Sequence, residues 1–393
     1  MMNKFIITVA EMDRKNNVRR KGICTMKKII LSLLIAACMF CTMVSCGTSE
    51  KNEETDLNTE NRNEVQTENE DIKQIIVPYY DENVKKYGYC TADGELVIAP
   101  EFDEANFFYE NAAAVRVDNL WGFVNETGVF IVEPKFHYAH NFSEGLASVR
   151  LDDLNGESKW GFIDKTGNFV ISPEFDGASS FVYGYSSVNV GYYFGAIDKT
   201  GELVVEPEFG YIGYFSENGL ASARDVYGGF GFINSSGEVE IELRFDEGWE
   251  FTVCEGTPLA PVCLDGKWGF INENGEFEIE PMFDDASHFA KNGIAPVSLG
   301  GKWGCIDIKG NWTIEPQFDR LMNPRNGLIS FAVGTDPYTQ KWGYIDEQGN
   351  VVLDAIYDSA GPFNDGVANV RIGDFQNGIE HYINREGEII RPK

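Results

Sequence analysis

The sequence predicts an all-β protein: tandem three-stranded antiparallel repeats curved into an arc, a superhelix or a propeller-like array, preceded by a secretion signal and a tether. Three observations carry this. A Lys-Trp-Gly-aromatic-Ile string and looser versions of it, such as FGFIN at Phe230, recur at intervals of 34 to 39 residues. A glycine stands seven residues after the lead position of every copy. The 41 glycines and 13% aromatic residues suit many short strands divided by tight turns.

The chain opens with addressing rather than fold. Lys27 and Lys28 precede an apolar run from Ile29 to Phe40, and Ser45-Cys46-Gly47 follows, the order of a secretory signal that ends in a cysteine. The run is shorter than the roughly 20 apolar residues of a spanning helix, so cleavage is expected rather than a retained anchor. Residues 43–46 resemble a bacterial lipobox, with Ser45 small before the cut and Met43 where leucine is usual. That resemblance implies that Cys46 is lipidated and holds the mature chain to a membrane. Residues 1–25 look foreign to such a signal, so translation is expected to start at Met26, and 26–45 is the signal peptide. An acidic tether then fills 46–73: Glu50 to Asp71 hold nine carboxylates and almost no large apolar side chain, too little burial to offset the entropy of ordering.

Nine repeats are expected over residues 74–393. The lead strings are Tyr87, Trp121-Gly122, Trp160-Gly161, Phe194, Phe230, Trp268-Gly269, Trp303-Gly304, Trp342-Gly343 and a worn copy at Glu380. Along such a strand side chains alternate, so Trp and Phe share one face and Gly and Ile the other. A glycine there weakens a strand, and its recurrence predicts a backbone or ring lying close above it. The next glycines are Gly94, Gly128, Gly167, Gly201, Gly237, Gly275, Gly310, Gly349 and Gly387, usually with Asp or Asn three places earlier. A type I turn closed by a left-handed residue wants this chemistry, so each marks a hairpin. The second strand, such as Phe169 to Ser172, is expected to end at a proline such as Pro173, which cannot donate to a ladder. An aromatic follows two residues later, from Phe102 to Tyr357, and often an aspartate, as in Asp103, Asp176, Asp284 and Asp319. These aspartates are expected to accept bonds from turn amides rather than to form a site. A third strand, such as Leu146 to Arg150, leads into the next tryptophan, with Ile75 to Tyr80 supplying the first. One such unit cannot bury two aromatic faces, so copies must stack. Regularity is expected to be weakest near 226–262 and at the C-terminus, where Leu243 and Ala355 replace the proline.

Removal of residues 1–45 leaves 60 acidic against 24 basic side chains, a net charge of −36, which excludes nucleic acid as a partner. Cys90, Cys254, Cys263 and Cys305 form no metal pattern. Cys90 and Cys305 stand where other copies hold apolar residues, whereas Cys254 and Cys263 are close enough in sequence to bridge. His137, His140, His288 and His381 likewise lack metal-ligand spacing, and no serine elbow, phosphate loop or Cys/His nucleophile pair is present. No metal, cofactor or catalytic residue is expected.

The KWGFID-like strings, their turn glycines and the trailing Pro-x-Phe-Asp resemble the WG-repeat family of bacterial proteins across about residues 75–392. The resemblance implies a β-rich repeat protein, often extracytoplasmic, and brings no catalytic residue. The expected function is therefore a lipid-anchored cell-envelope scaffold, reached by export across the bacterial cytoplasmic membrane, that binds protein or polysaccharide without transforming it. The alternatives are a carbohydrate-active enzyme using paired carboxylates, for which 60 acids make any one pair uninformative, or the ligand-binding ectodomain of a sensor complex.

Overall fold

Among the described residues of the computed structural model every regular element is a β-strand, and the strands form nine separate antiparallel sheets. The structure describes residues 75–152, 156–336, 338–373 and 378–392. Cys46, the signal peptide and the tether lie outside the described residues.

The first sheet has three strands, β1 (Ile76–Asp81), β2 (Lys86–Thr91) and β3 (Leu96–Phe102). The second has four, in the order β4 (Glu104–Ala105), β5 (Ala112–Val117), β6 (Leu120–Asn125) and β7 (Phe130–Phe136). Seven further sheets repeat the second, one of them with an extra hairpin strand at Thr252–Cys254. The repeat therefore holds a strand beyond the three expected. Except in the fifth blade, where it spans Tyr211–Phe215, it is only two residues long, too short to show a period of two, and it directly follows the Phe-Asp step.

The nine sheets are the blades of a β-propeller. Each side-chain cluster joins two neighbouring blades, and there are nine such clusters for nine blades, where an open array would have eight. Tyr89, Ile98 and Phe102 of the first blade pack on Ala113, Val115 and Val124 of the second. Around the ring, Trp342, Tyr344 and Tyr357 of the eighth meet Phe363, Val370 and Ile383 of the ninth. The last cluster returns to the start, with Val367 and Ile390 against Val77, Tyr79 and Cys90. No strand is shared between first and last blades, so packing alone closes the ring.

The alternation in the lead string sets this packing. Trp121 and Phe123 face forward into a cluster with Ala147 and Val149 of the third blade, and Ile163 of that blade faces back into the same cluster. Gly122 sits under its own outer strand: Trp121 pairs with Phe136 but Phe123 with Val132, so two extra residues bulge over the glycine. A Cβ on Gly122 would lie 2.6 Å from Val132 O and 2.7 Å from Pro134 N. The proline thus stands within the strand, which runs on to Phe136, and does not end it as expected. A bulge needs no donor there, so proline fits. The same offset persists where Leu243 and Ala355 replace it, with Phe230 opposite Phe245 and Phe232 opposite Ile241, and Trp342 opposite Tyr357 and Tyr344 opposite Leu353. The bulge is thus a property of the repeat rather than of proline, and the stretch around 226–262 departs only by its extra hairpin.

Candidate functional site

Most recurring polar residues hold blades together. Asp164 Oδ1 accepts the amides of Thr166 and Asn168 at 2.9 and 3.1 Å, while Gly167, at φ 80°, donates to Asp164 O. Gly128, Gly201, Gly237, Gly275, Gly310 and Gly349 take the same left-handed conformation. The trailing aspartates act as clamps between blades. Lys86, Lys159, Lys267, Lys302 and Lys341 reach Asp103, Asp176, Asp284, Asp319 and Asp358 at 2.5–2.6 Å. The second oxygen of each carboxylate accepts an amide from the hairpin between the second and third strands of the next blade, as Asp319 does from Gly334 at 2.8 Å. The lysine hydrogen bond, reinforced by these amides, holds Asp103, Asp176, Asp284 and Asp319 below the usual carboxylate range.

The lead tryptophans also pack between blades. Trp121, Trp268 and Trp342 are buried, at 7% exposure, and Trp160 and Trp303 are half-buried. Gly161, Gly269, Gly304 and Gly343 lie under the bulge as Gly122 does. The sequence-named motif residues thus lie in every blade and converge on no single point.

The four cysteines among the described residues are buried free thiols, so Cys254 and Cys263 are not bridged; Cys254 sits in the extra hairpin and its thiol faces Thr257 O at 3.4 Å. Burial pushes the Cys90 and Cys305 thiols up to about 12, which leaves them unreactive at neutral pH. Among the described residues no group of three or more His, Cys, Asp or Glu is placed to hold a metal ion.

The variable residues gather at the short first strands. One cavity is lined by these strands from the seventh, eighth and ninth blades and by Trp249 of the sixth, which puts them on the concave, axial side. The second residue of each is usually small, and Ala139, Ala286 and Ala360 are buried, while the positions beside it differ from blade to blade. Glu104, Tyr138, Gly177, Tyr211, Glu247, Asp285, Arg320 and Ser359 occupy one of them in turn. Beside this row, Arg116, Arg150, Arg224 and Arg371 pair across from it on the second strand. Five of the nine arginines beyond residue 75 therefore border the channel of a strongly acidic protein. Several are engaged there: Arg116 binds Glu104 at 2.5 Å, and Arg150 lies 6.0 Å over Trp160, whose other neighbours include the stacked ring of His140.

The cavity spans the sixth to ninth blades, about 940 Å³ in volume. Tyr338 and Gly373, from hairpins between second and third strands, place it on the rim that carries the clamps. Trp249, Trp303 and Trp342 line it together with Arg320, Arg325 and Arg371. Sequence reading missed this cluster because its members come from four repeats, and Trp249, Arg320 and Arg325 stand at positions where other copies hold different residues. The one available signal was the arginine that ends the third expected strand in four copies.

Fold and site together define a propeller whose repeated residues build blades and whose variable residues face the channel. The chain belongs to the WG containing repeat family, whose pattern matches eight times, at 87–121, 121–154, 160–193, 194–225, 230–268, 268–303, 303–334 and 342–374. The last of these takes in the first two strands of the ninth blade, whose outer two, Ile379–Ile383 and Ile389–Ile390, lie beyond it. No curated protein matches the chain. Among solved structures, that of a eukaryotic initiation factor is similar at TM-score 0.56 and 10% identity, over 80% of this chain and 95% of that one. At that identity the likeness concerns the fold alone. The extracellular domain of a hybrid two component system from B. thetaiotaomicron superposes more loosely, at TM-score 0.31 and 10% identity, over 81% of this chain and 52% of that one.

Proposed function

We propose that this protein is a cell-envelope lipoprotein, exported and anchored through Cys46, whose propeller binds a polysaccharide or protein without transforming it. The division of labour among residues carries this reading. Recurring Trp, Gly, Lys and Asp side chains are occupied by packing, bulges and clamps, which leaves the channel-facing positions as the surface that is free to specialise. Catalysis usually concentrates an unusual reactive group at one place, and the departures among these copies are mostly losses of the motif instead.

The test of binding uses the purified chain with cell-wall polysaccharides, peptidoglycan fragments, envelope proteins and generic ester and peptide substrates, with retention and product release both followed. Retention without turnover is expected. Turnover abolished by a single carboxylate substitution that leaves the fold intact would make the protein an enzyme. The anchor is checked separately by metabolic labelling with a fatty acid, which should vanish in Cys46→Ala; label that persists overturns it.

A further inference from the structure

We propose that the cavity at the sixth to ninth blades is a binding subsite for an acidic oligosaccharide, with Arg320 and Arg325 gripping a sugar carboxylate and Trp249 supporting a ring face. This rests on the binding reading above and gives it a ligand class.

Charge is the first argument. The mature chain carries −36, so a cavity of ordinary composition in it would be acidic. This one instead holds three guanidinium groups, from Arg320, Arg325 and Arg371. Of the carboxylates beside them, Asp358 is already held by Lys341 and the Gly373 amide, which leaves Asp285 as the opposing charge. Arg320 feels the charge of Asp285, but among the described residues neither Arg320 nor Arg325 makes a close salt bridge, and both are exposed. An arginine fork matches a carboxylate with two parallel hydrogen bonds, an interaction that gains strength in a partly enclosed site.

Shape and aromatic lining then choose among anions. The volume of about 940 Å³ lies near the top of the roughly 300–1,000 Å³ of small-ligand sites, room for several sugar rings and too small for a folded partner. Trp249 is half exposed, at 50%, directly beside the first strand of its blade, and Tyr338 lines the same cavity at 79%. Large exposed aromatic surfaces in a concave site offer flat apolar area with little conformational entropy to lose, suited to the C–H face of a pyranose. A short acidic peptide would use the arginines but not that flat face.

The experiment is calorimetric titration of the purified chain with three probes: tetragalacturonate, its methyl ester, which keeps the rings and removes the charge, and tetraglutamate, which keeps the charge without rings. Tetragalacturonate is expected to bind about tenfold or more tightly than either, with affinity that falls as salt rises. Arg320→Gln, Arg325→Gln and Trp249→Ala should each weaken it about tenfold while thermal unfolding stays unchanged, because all three side chains are exposed. Equal binding of the methyl ester, unaltered by the arginine substitutions, overturns the acidic subsite and leaves a binding scaffold standing. Equal binding of tetraglutamate overturns the sugar. Failure of all three probes also overturns the subsite, while retention of envelope material in the earlier assay decides the broader reading by itself.

Discussion

At the scale of single residues, the two glycines of each copy recur for different reasons. Gly161 has no unusual φ but lies beneath a bulge, where a Cβ would meet Ile171 O and Pro173 N, each at 2.7 Å. Gly167 combines φ 80° with a tight seat on the preceding blade, its Cβ position 3.1 Å from Val132 Cγ2. Gly161→Ala should destabilise the protein by about 1–3 kcal/mol, because the obstruction is backbone and cannot rotate away. Gly167→Val should cost about 1–3 kcal/mol through its backbone conformation and through the crowding of Val132. Denaturant unfolding checks both against Lys165→Ala, whose exposed pairing with Glu110 contributes little. Equal midpoints for the three variants would remove both accounts.

At the scale of the element, a blade is tied to its neighbour by apolar packing and, at the five junctions served by Lys86, Lys159, Lys267, Lys302 and Lys341, by a Lys–Asp–amide clamp. The aspartate pKa values are lower in the folded chain than the ordinary value of 3.8. A carboxylate shifted in that direction contributes stability that is present above its unfolded pKa and is lost as pH falls through its folded value. The clamps should therefore be intact at neutral pH and release below about pH 4. Thermal melting followed from pH 7 downward should show the midpoint dropping in that window, with a shallower drop in Asp319→Asn. A wild-type midpoint that is flat down to pH 3 would show that the clamps contribute nothing.

At the scale of the whole molecule, closure by packing makes the seam between the first and ninth blades a point of dependence. Phe107 packs edge-on against Tyr382 at 4.8 Å, and Val77 and Tyr79 are covered by Ile390 and Val367. A chain ended after Gly373 loses Tyr382 and Ile390, and should bind a hydrophobic dye and melt at lower temperature; unchanged dye binding would mean that the ring does not need its seam. Tryptophan emission reports on the same architecture. Five lead tryptophans pack between blades while Trp249 is half exposed, so emission should be mainly blue-shifted with a minor quenchable part. Trp249→Phe should remove most of that part, and iodide quenching as strong as in the parent protein would contradict the placement.

The sequence by itself determined the repeat, its glycine turns, the alternating faces of Trp-Gly-Phe-Ile and the capture of turn amides by aspartate. All of these are local: a period of two, a left-handed turn and a nearby acceptor are written within a few residues. The tertiary structure decided what depends on distant residues. The two-residue inner strand escaped notice because it carries no period, and proline was misread as a strand end because a bulge is visible only against its partner strand. A closed ring differs from an arc by a single interface, between residues some three hundred positions apart. The arginine-rich cavity is hidden for the same reason: Trp249, Arg320 and Arg371 belong to three different repeats, and only curvature brings them to one mouth.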